Sequence, residues 1–236
     1  MPRMTMIALA AATLSACGVL HAQSDDGGSR TFNVRGFDRV ALRGSDDVIV
    51  RVGGAESVTA TGPDEVLDKL EINVVNGELR IGREKGWSWG WSGNRKPAVI
   101  TVTLPRLRGA AVAGSGDMDI DQVQATAFEG SIAGSGNLSV NRLQAETASL
   151  DIAGSGNASV TGQVRSVDIS IAGSGEMSAA GLKAERAKIS IAGSGDVRAQ
   201  VSGEADVSIV GSGDVNLVGN PRCRIKKMGS GDVRCG

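Results

Sequence analysis

The sequence predicts an all-β chain folded as a single-stranded parallel β-solenoid, a β-helix with about 18–20 residues per coil. Three observations carry this. Gly-Ser-Gly recurs with its first glycine at Gly114, Gly134, Gly154, Gly173, Gly193, Gly211 and Gly229, at steps of 20, 20, 19, 20, 18 and 18 residues. Apolar and polar residues alternate with period two on both sides of each triplet, which means strand, corner, strand. A unit this short leaves too little chain for a crossover helix and cannot bury its own apolar side, so neighbouring units must stack, with equivalent residues about 4.8 Å apart. A β-propeller is the alternative repeat architecture, but its blades need about 40 residues and four strands each.

Composition narrows the function classes. Of 236 residues, 34 are glycine, whereas there are only 3 Phe, 3 Trp and no Tyr, so small and β-branched side chains must fill the interior. The formal net charge of −1 offers no basic excess to neutralise phosphates, and no nucleic-acid partner is expected. The one histidine, His21, lies close behind the leader and ahead of residue 31, so the expected solenoid has no imidazole base or metal ligand.

Residues 1–16 read as an export signal: Arg3 precedes an apolar run from Met4 to Ala16 that is too short to remain as a spanning helix. The run ends in Leu14-Ser15-Ala16-Cys17, which resembles the bacterial lipoprotein signal, whose cysteine accepts the lipid. That resemblance implies a membrane anchor at Cys17. Because Gly18 rather than aspartate follows, it also implies delivery to the outer membrane, with the protein facing the periplasm or the cell surface. Ordinary cleavage after Ala22 is the competing reading, with Leu20 poorly suited to its −3 position. Residues 17–30 form the anchor and a polar tether, and the solenoid is expected over 31–236. Removal of the leader takes away Arg3 and moves the net charge from −1 to −2.

The first part of the solenoid, 31–108, is the less regular. Val40 to Val50 places Gly44 in the corner register, with Leu42 and Val48 inward, and reads as a degenerate coil. Pro63 to Leu70 suits a helical turn opened by Asp64 and Glu65. Glu71 to Ile81 reads as two strands joined at Asn76-Gly77. Gly86 to Lys96 is a loop insertion, and Ala98 to Leu104 a strand stopped by Pro105. The region is expected to continue or cap the same solenoid rather than form a second domain.

Regular coils follow over 109–236. Two residues before the corner stand Val112, Ile132, Ile152, Ile171, Ile191 and Ile209, and four after it Met118, Leu138, Ala158, Met177, Val197 and Val215, all in the inward register. In the last coil Lys227 takes the place of the aliphatic residue, as fits an end that meets water. Cys223 and Cys235 lie six residues before and six after Gly229, both inward; in an oxidising compartment they are expected to bond and staple that end.

The opening segment Phe32-Asn-Val-Arg-Gly-Phe37, the Leu79-Arg-Ile81 strand after Asn76-Gly77, Thr101-Val-Thr-Leu-Pro105 and the coils that follow together resemble the putative autotransporter-adhesin head (GIN) domain family of bacterial envelope proteins over roughly residues 31–235. The resemblance implies a β-solenoid at the cell envelope, and says little about activity.

Three sets of residues are candidate sites. Glu176, Asp196, Asp214 and Asp232 fall on adjacent coils, where like charges need solvent or a cation, and Ca²⁺ is the ion such oxygens would take; the reading preferred is that Asp and Asn serve here as turn residues bonding local backbone, since Asn137 and Asn157 share the column and an amide ladder carries no charge. No cofactor is otherwise expected. Trp87, Trp89 and Trp91, at alternate positions, would form a row of indoles able to stack on sugar rings or a protein surface, or would fold back over an apolar end. The corner serines, Ser115 to Ser230, have no base beside them, and neither G-x-S-x-G nor a phosphate-loop pattern occurs, so their repetition is structural. The expected function is a non-enzymatic, lipid-anchored envelope protein that binds a surface protein or polysaccharide. The alternatives are a polysaccharide lyase or hydrolase on the same fold, for which Arg165, Arg186 and Arg198 are scattered rather than clustered with the acids, and a purely structural envelope scaffold.

Overall fold

A computed structural model describes residues 27–84 and 97–236. It is a parallel β-solenoid of about six turns, closed at its amino-terminal end by antiparallel strands. The strands are β1 (Gly28–Phe32), β2 (Arg39–Gly44), β3 (Asp47–Val52), β4 (Ser57–Gly62), β5 (Leu70–Val75), β6 (Glu78–Arg83), β7 (Val99–Leu104), β8 (Gly109–Gly114) and β9 (Asp117–Ile120). The long coils are β10 (Val123–Gly134), β11 (Asn137–Gly154), β12 (Asn157–Gly173), β13 (Glu176–Gly193) and β14 (Asp196–Gly211). The end is made by β15 (Val215–Val218), β16 (Arg222–Gly229) and β17 (Val233–Cys235). One helical turn, α1 (Asp64–Leu67), buries Val66 and Leu67.

Each regular coil has three runs, as in β11 and its partner β12: Asn137–Val140, Leu143–Ala145 and Thr147–Gly154 pair in parallel with equivalent residues of the next coil. The inward columns are the apolar ones read from the sequence. Val112, Ile132, Ile152, Ile171, Ile191 and Ile209 are all at most 2% exposed. The corner shows why glycine recurs. At Gly154 φ is +130°, and a Cβ there would lie well under 3.0 Å from the carbonyl oxygen of Gly134 on the coil before it. That close approach is used: Gly134 O accepts from the amides of Ser155 (2.9 Å) and Gly156 (3.0 Å), and the same pattern joins Gly44 and Gly114 to the coils that follow them.

Stack order departs from chain order at the amino-terminal end. The degenerate coil is real: Gly44 pairs with Gly114, and β2–β3 stack directly on β8–β9. On the other side of β2–β3 lie β6 and β7, also parallel to it, so a segment later in sequence is placed outside an earlier one. Beyond these the direction reverses, with β5 antiparallel to β6, β4 antiparallel to β7 and β1 antiparallel to β4. Strand β1 takes in Gly28, Ser29 and Arg30, so part of the stretch expected as tether is strand. The Asn76-Gly77 turn has both residues at positive φ, 53° and 77°, as a two-residue hairpin requires.

The cap is locked by a buried ion pair. Asp46 stands where every later coil has the third corner glycine, and it is 0% exposed. Its carboxylate accepts from both the Nε (2.8 Å) and Nη2 of Arg83 on β6 and from the amide of Ala98 (3.0 Å). A fork of two guanidinium bonds plus a backbone donor is the arrangement that makes a buried carboxylate tolerable.

Candidate functional site

The third runs of the coils stack into one sheet, and strand alternation decides what its outer surface shows. Residues one and three before each corner point outward. They form two parallel rails across β10 to β14: Ala133, Ala153, Ala172, Ala192 and Val210 on one, Ser131, Asp151, Ser170, Ser190 and Ser208 on the other. Between and over them runs an open groove of about 580 Å³. Its length across five coils is roughly 20 Å at the strand spacing. The methyl rail is exposed throughout and grows toward the carboxyl-terminal end, where Val210 is 55% and Met228 72% exposed. No bulky side chain interrupts the methyl rail, so a linear ligand can lie along the axis with methyls under one edge and, under the other, hydroxyls and the one carboxylate of Asp151.

The acidic column is assembled as the repeat requires. Glu176 pairs with Asp196, and Asp214 and Asp232 continue the series on the next two coils. Three side-chain oxygens of the column accept from the backbone amide of the following coil: that of Asn157 from Glu176 (3.2 Å), that of Asp196 from Asp214 (3.0 Å) and that of Asp214 from Asp232 (2.8 Å). The side-chain amide of Asn137 donates to Asp117 (2.8 Å) and that of Asn157 to the side-chain oxygen of Asn137 (3.1 Å). Glu176 also accepts from the Arg198 guanidinium. The oxygens are directed along the stack toward the next coil's backbone rather than converging on a point. Among the described residues no group of three or more His, Cys, Asp or Glu side chains is placed to hold a metal ion.

Elsewhere the outer face carries charge that alternates by coil. Asp168, Lys188, Asp206 and Arg224 are successive members of one column, with Lys188 to Asp168 at 3.4 Å and Arg224 gripping Asp206 through Nε (2.6 Å) and Nη2 (3.0 Å). The Arg224 hydrogen bonds hold the Asp206 carboxyl below the usual carboxylate range, and Asp206 in turn raises the Arg224 guanidinium. Arg186, Glu204 and Arg222 repeat the alternation two residues along.

Of the other expected residues, Cys223 and Cys235 are joined by a disulfide with an S–S length of 2.06 Å. Cys17, His21, Trp87, Trp89 and Trp91 lie outside the described residues. The corner serines are exposed along one edge, and the described residues include no histidine. The groove was not singled out from the sequence, although its signal is there: the residue before the corner is alanine in five consecutive coils, Ala113 to Ala192. The Asp46–Arg83 pair was signalled only by Gly-Ser-Asp in place of Gly-Ser-Gly at residues 44–46.

Comparison with known proteins gives a consistent picture. A sequence profile of the family described as "putative auto-transporter adhesin, head GIN domain" matches residues 36–221. A crystal structure of a putative adhesin from Bacteroides fragilis superposes with a TM-score of 0.79 at 21% identity, covering 89% of this chain and 97% of that one. A putative lipid binding protein from Parabacteroides distasonis gives 0.69 at 26% identity, covering 89% and 96%. A putative adhesin from Parabacteroides merdae gives 0.66 at 17% identity, covering 87% and 94%. A comparison with curated protein sequences finds no match.

Proposed function

We infer the function from family membership and from one surface: the chain belongs to the family of the putative auto-transporter adhesin, head GIN domain, and the outward groove is its binding face. In this reading the protein is a non-enzymatic, lipid-anchored component of the cell envelope that holds a linear surface polysaccharide or an extended segment of a surface protein. The observation that carries it is the pair of rails over five coils, small apolar side chains (four alanines and Val210) beside four serine hydroxyls and the Asp151 carboxylate. An apolar strip edged with regularly spaced hydroxyls suits the alternating apolar faces and hydroxyl edges of a sugar chain, and repetition lets weak contacts add along a polymer. Cys17 would supply the anchor, and the described residues contain no helix long and apolar enough to cross a membrane.

The test is a double substitution, Ala153→Glu with Ala172→Glu, in a glycan array and a cell-adhesion assay. Both sites are exposed, so circular dichroism and melting temperature should stay near wild type while binding falls by at least tenfold, the equivalent of ~1.4 kcal/mol. Retained binding with the groove blocked would sink the reading. Alanine at Trp87, Trp89 and Trp91 is the parallel test of the other expected contact. Incorporation of labelled fatty acid, lost on Cys17→Ser, tests the anchor.

A second reading has one observation of its own. The methyl rail runs on into Val210 and Met228, and a relative 26% identical is described as a putative lipid binding protein. An acyl chain along the rail would be displaced by the same two glutamates, but would bind with no dependence on the serine rail. Ser170→Ala with Ser190→Ala separates the two, weakening a glycan and sparing a lipid.

A further inference from the structure

The two ends of the solenoid are unlike. At the amino-terminal end the parallel stack is closed by β1, β4 and β5 running antiparallel. At the other end β16 is the last strand of its sheet: it pairs with β14 on one side, and among the described residues no strand pairs with its other side. That edge is eight residues long and exposed, with Ile225 at 47% and Met228 at 72%. It is also strongly basic. Residues 219–236 carry Arg222, Arg224, Lys226, Lys227 and Arg234 against Asp232 alone, a net charge of +4 in a chain whose total is −1.

The charge ladder gives this edge a direction. Across β13, β14 and β16 one column reads Arg186, Glu204, Arg222 and its neighbour Lys188, Asp206, Arg224, plus, minus, plus. Each basic rung inside the stack is flanked by an acidic one, and the series stops on a basic rung. Arg224 is held by Asp206, whereas the side chains of Arg222 and Lys226 form no hydrogen bond or ion pair with any described residue. Lys227 occupies the inward column that is aliphatic on every earlier coil, and its Nζ reaches only the carbonyl of Gly231 (2.6 Å). A lysine in that position opposes pairing with an apolar strand, and two such edges repel each other, which bars tail-to-tail pairing of this chain.

We propose that the open edge of β16 is a docking site for an extended acidic segment of a partner protein, taken up as an added β-strand. The backbone of Arg222–Gly229 supplies the ladder hydrogen bonds. Acidic residues opposite Arg222 and Lys226 supply the missing rung on the outer face, and an apolar residue on the other face of the added strand covers Ile225. Recognition therefore requires both an extended backbone and carboxylates at alternate positions.

The test uses the full-length chain in non-ionic detergent and labelled peptides of about twelve residues, long enough for one strand, read by fluorescence anisotropy. A peptide alternating glutamate and valine should bind. The same peptide N-methylated at alternate amides should lose at least tenfold in affinity, because its ladder bonds are gone, and an alternating lysine–valine peptide should not bind. Arg222→Glu with Lys226→Glu should weaken the acidic peptide by about 10–100-fold, with an unchanged circular dichroism spectrum and the Cys223–Cys235 bond intact. Equal binding of poly-glutamate or of anionic vesicles would overturn the proposal, since it would reduce the edge to a charged patch. So would self-association of the chain that the two substitutions abolish, which would make a second copy the occupant.

Discussion

At the scale of single residues, the stack is held by atoms that leave no room for others. Gly154→Ala would force a side chain into positive φ and drive its Cβ into the carbonyl of Gly134, two penalties that together are expected to cost ~3 kcal/mol or more. Ser155→Ala, one residue on and exposed, should change stability by less than about 0.5 kcal/mol, so the pair of denaturant midpoints isolates the corner geometry. Asp46→Ala removes the carboxylate that Arg83 and Ala98 share and is expected to cost about 3–5 kcal/mol. Replacing Asp46 with glycine to restore the repeat motif should cost as much, because Arg83 keeps its charge in a site where it is only 11% exposed. The Asp206–Arg224 pair sets a pH dependence. The folded carboxyl titrates below its unfolded value, so its contribution is complete above the unfolded value and is lost as pH falls through the folded one. A carboxyl NMR titration of Asp206 should therefore shift upward in Arg224→Gln, with stability at neutral pH little changed for so exposed a pair. Residues that obey the repeat were legible in the sequence, because an inward position tolerates only apolar types. Asp46 and the alanine rail were not, the first because it breaks the repeat once, the second because small outward residues carry no hydropathy signal.

At the scale of elements, the regular coils and the terminal staple were legible, and the order of the cap was not. Period-two alternation identifies β2, β5, β6 and β7 as strands but says nothing about which neighbour each one chooses. In β10 to β14 the shared corner fixes the partner, since only a glycine corner can sit on a glycine corner. Strands β6 and β7 lack that corner, so they are free to pass outside β2–β3, and the Asn76-Gly77 turn then folds β5 back against β6 as an antiparallel edge. The carboxyl-terminal element has covering strands on one side only, and Ile225, Lys227 and Met228 are exposed accordingly. The Cys223–Cys235 bond, which spans 12 residues, compensates there. Cys223→Ser with Cys235→Ser is expected to lose about 2–3 kcal/mol from the last coil. Hydrogen exchange should quicken over 222–236 and stay slow over 137–211, because only the terminal rung is released.

At the scale of the whole molecule, the fold behaves as a one-dimensional stack, in which stability is a sum over coils and the contacts between adjacent ones. That makes a specific deletion tolerable. Removing residues 157–175 joins Gly156 to Glu176 and brings β11 directly against β13. Every inward column then meets a compatible partner: Leu138 on Met177, Val140 on Ala179, Leu143 on Leu182, Ala148 on Ala187, Leu150 on Ile189 and Ile152 on Ile191. The glycine corner, the corner carbonyl that accepts the next coil's serine amide and the side-chain column all remain in register. The shortened chain is expected to fold cooperatively, to keep its β-sheet circular dichroism, and to show a smaller denaturant slope because less surface is exposed on unfolding. Deleting residues 157–166 instead removes about half a coil and puts the chain out of phase with its neighbours on both sides, turning apolar columns toward solvent; no cooperative transition is expected. If both deletions unfolded the chain equally, the stack would be held by its ends rather than by coil-to-coil contacts. If both folded equally well, register along the corner would not matter. The same pair bears on function: the whole-coil deletion shortens the outward groove by one methyl and one hydroxyl without breaking either rail, so a polymer ligand should bind somewhat more weakly, whereas a ligand seated at one fixed coil would be either unaffected or lost.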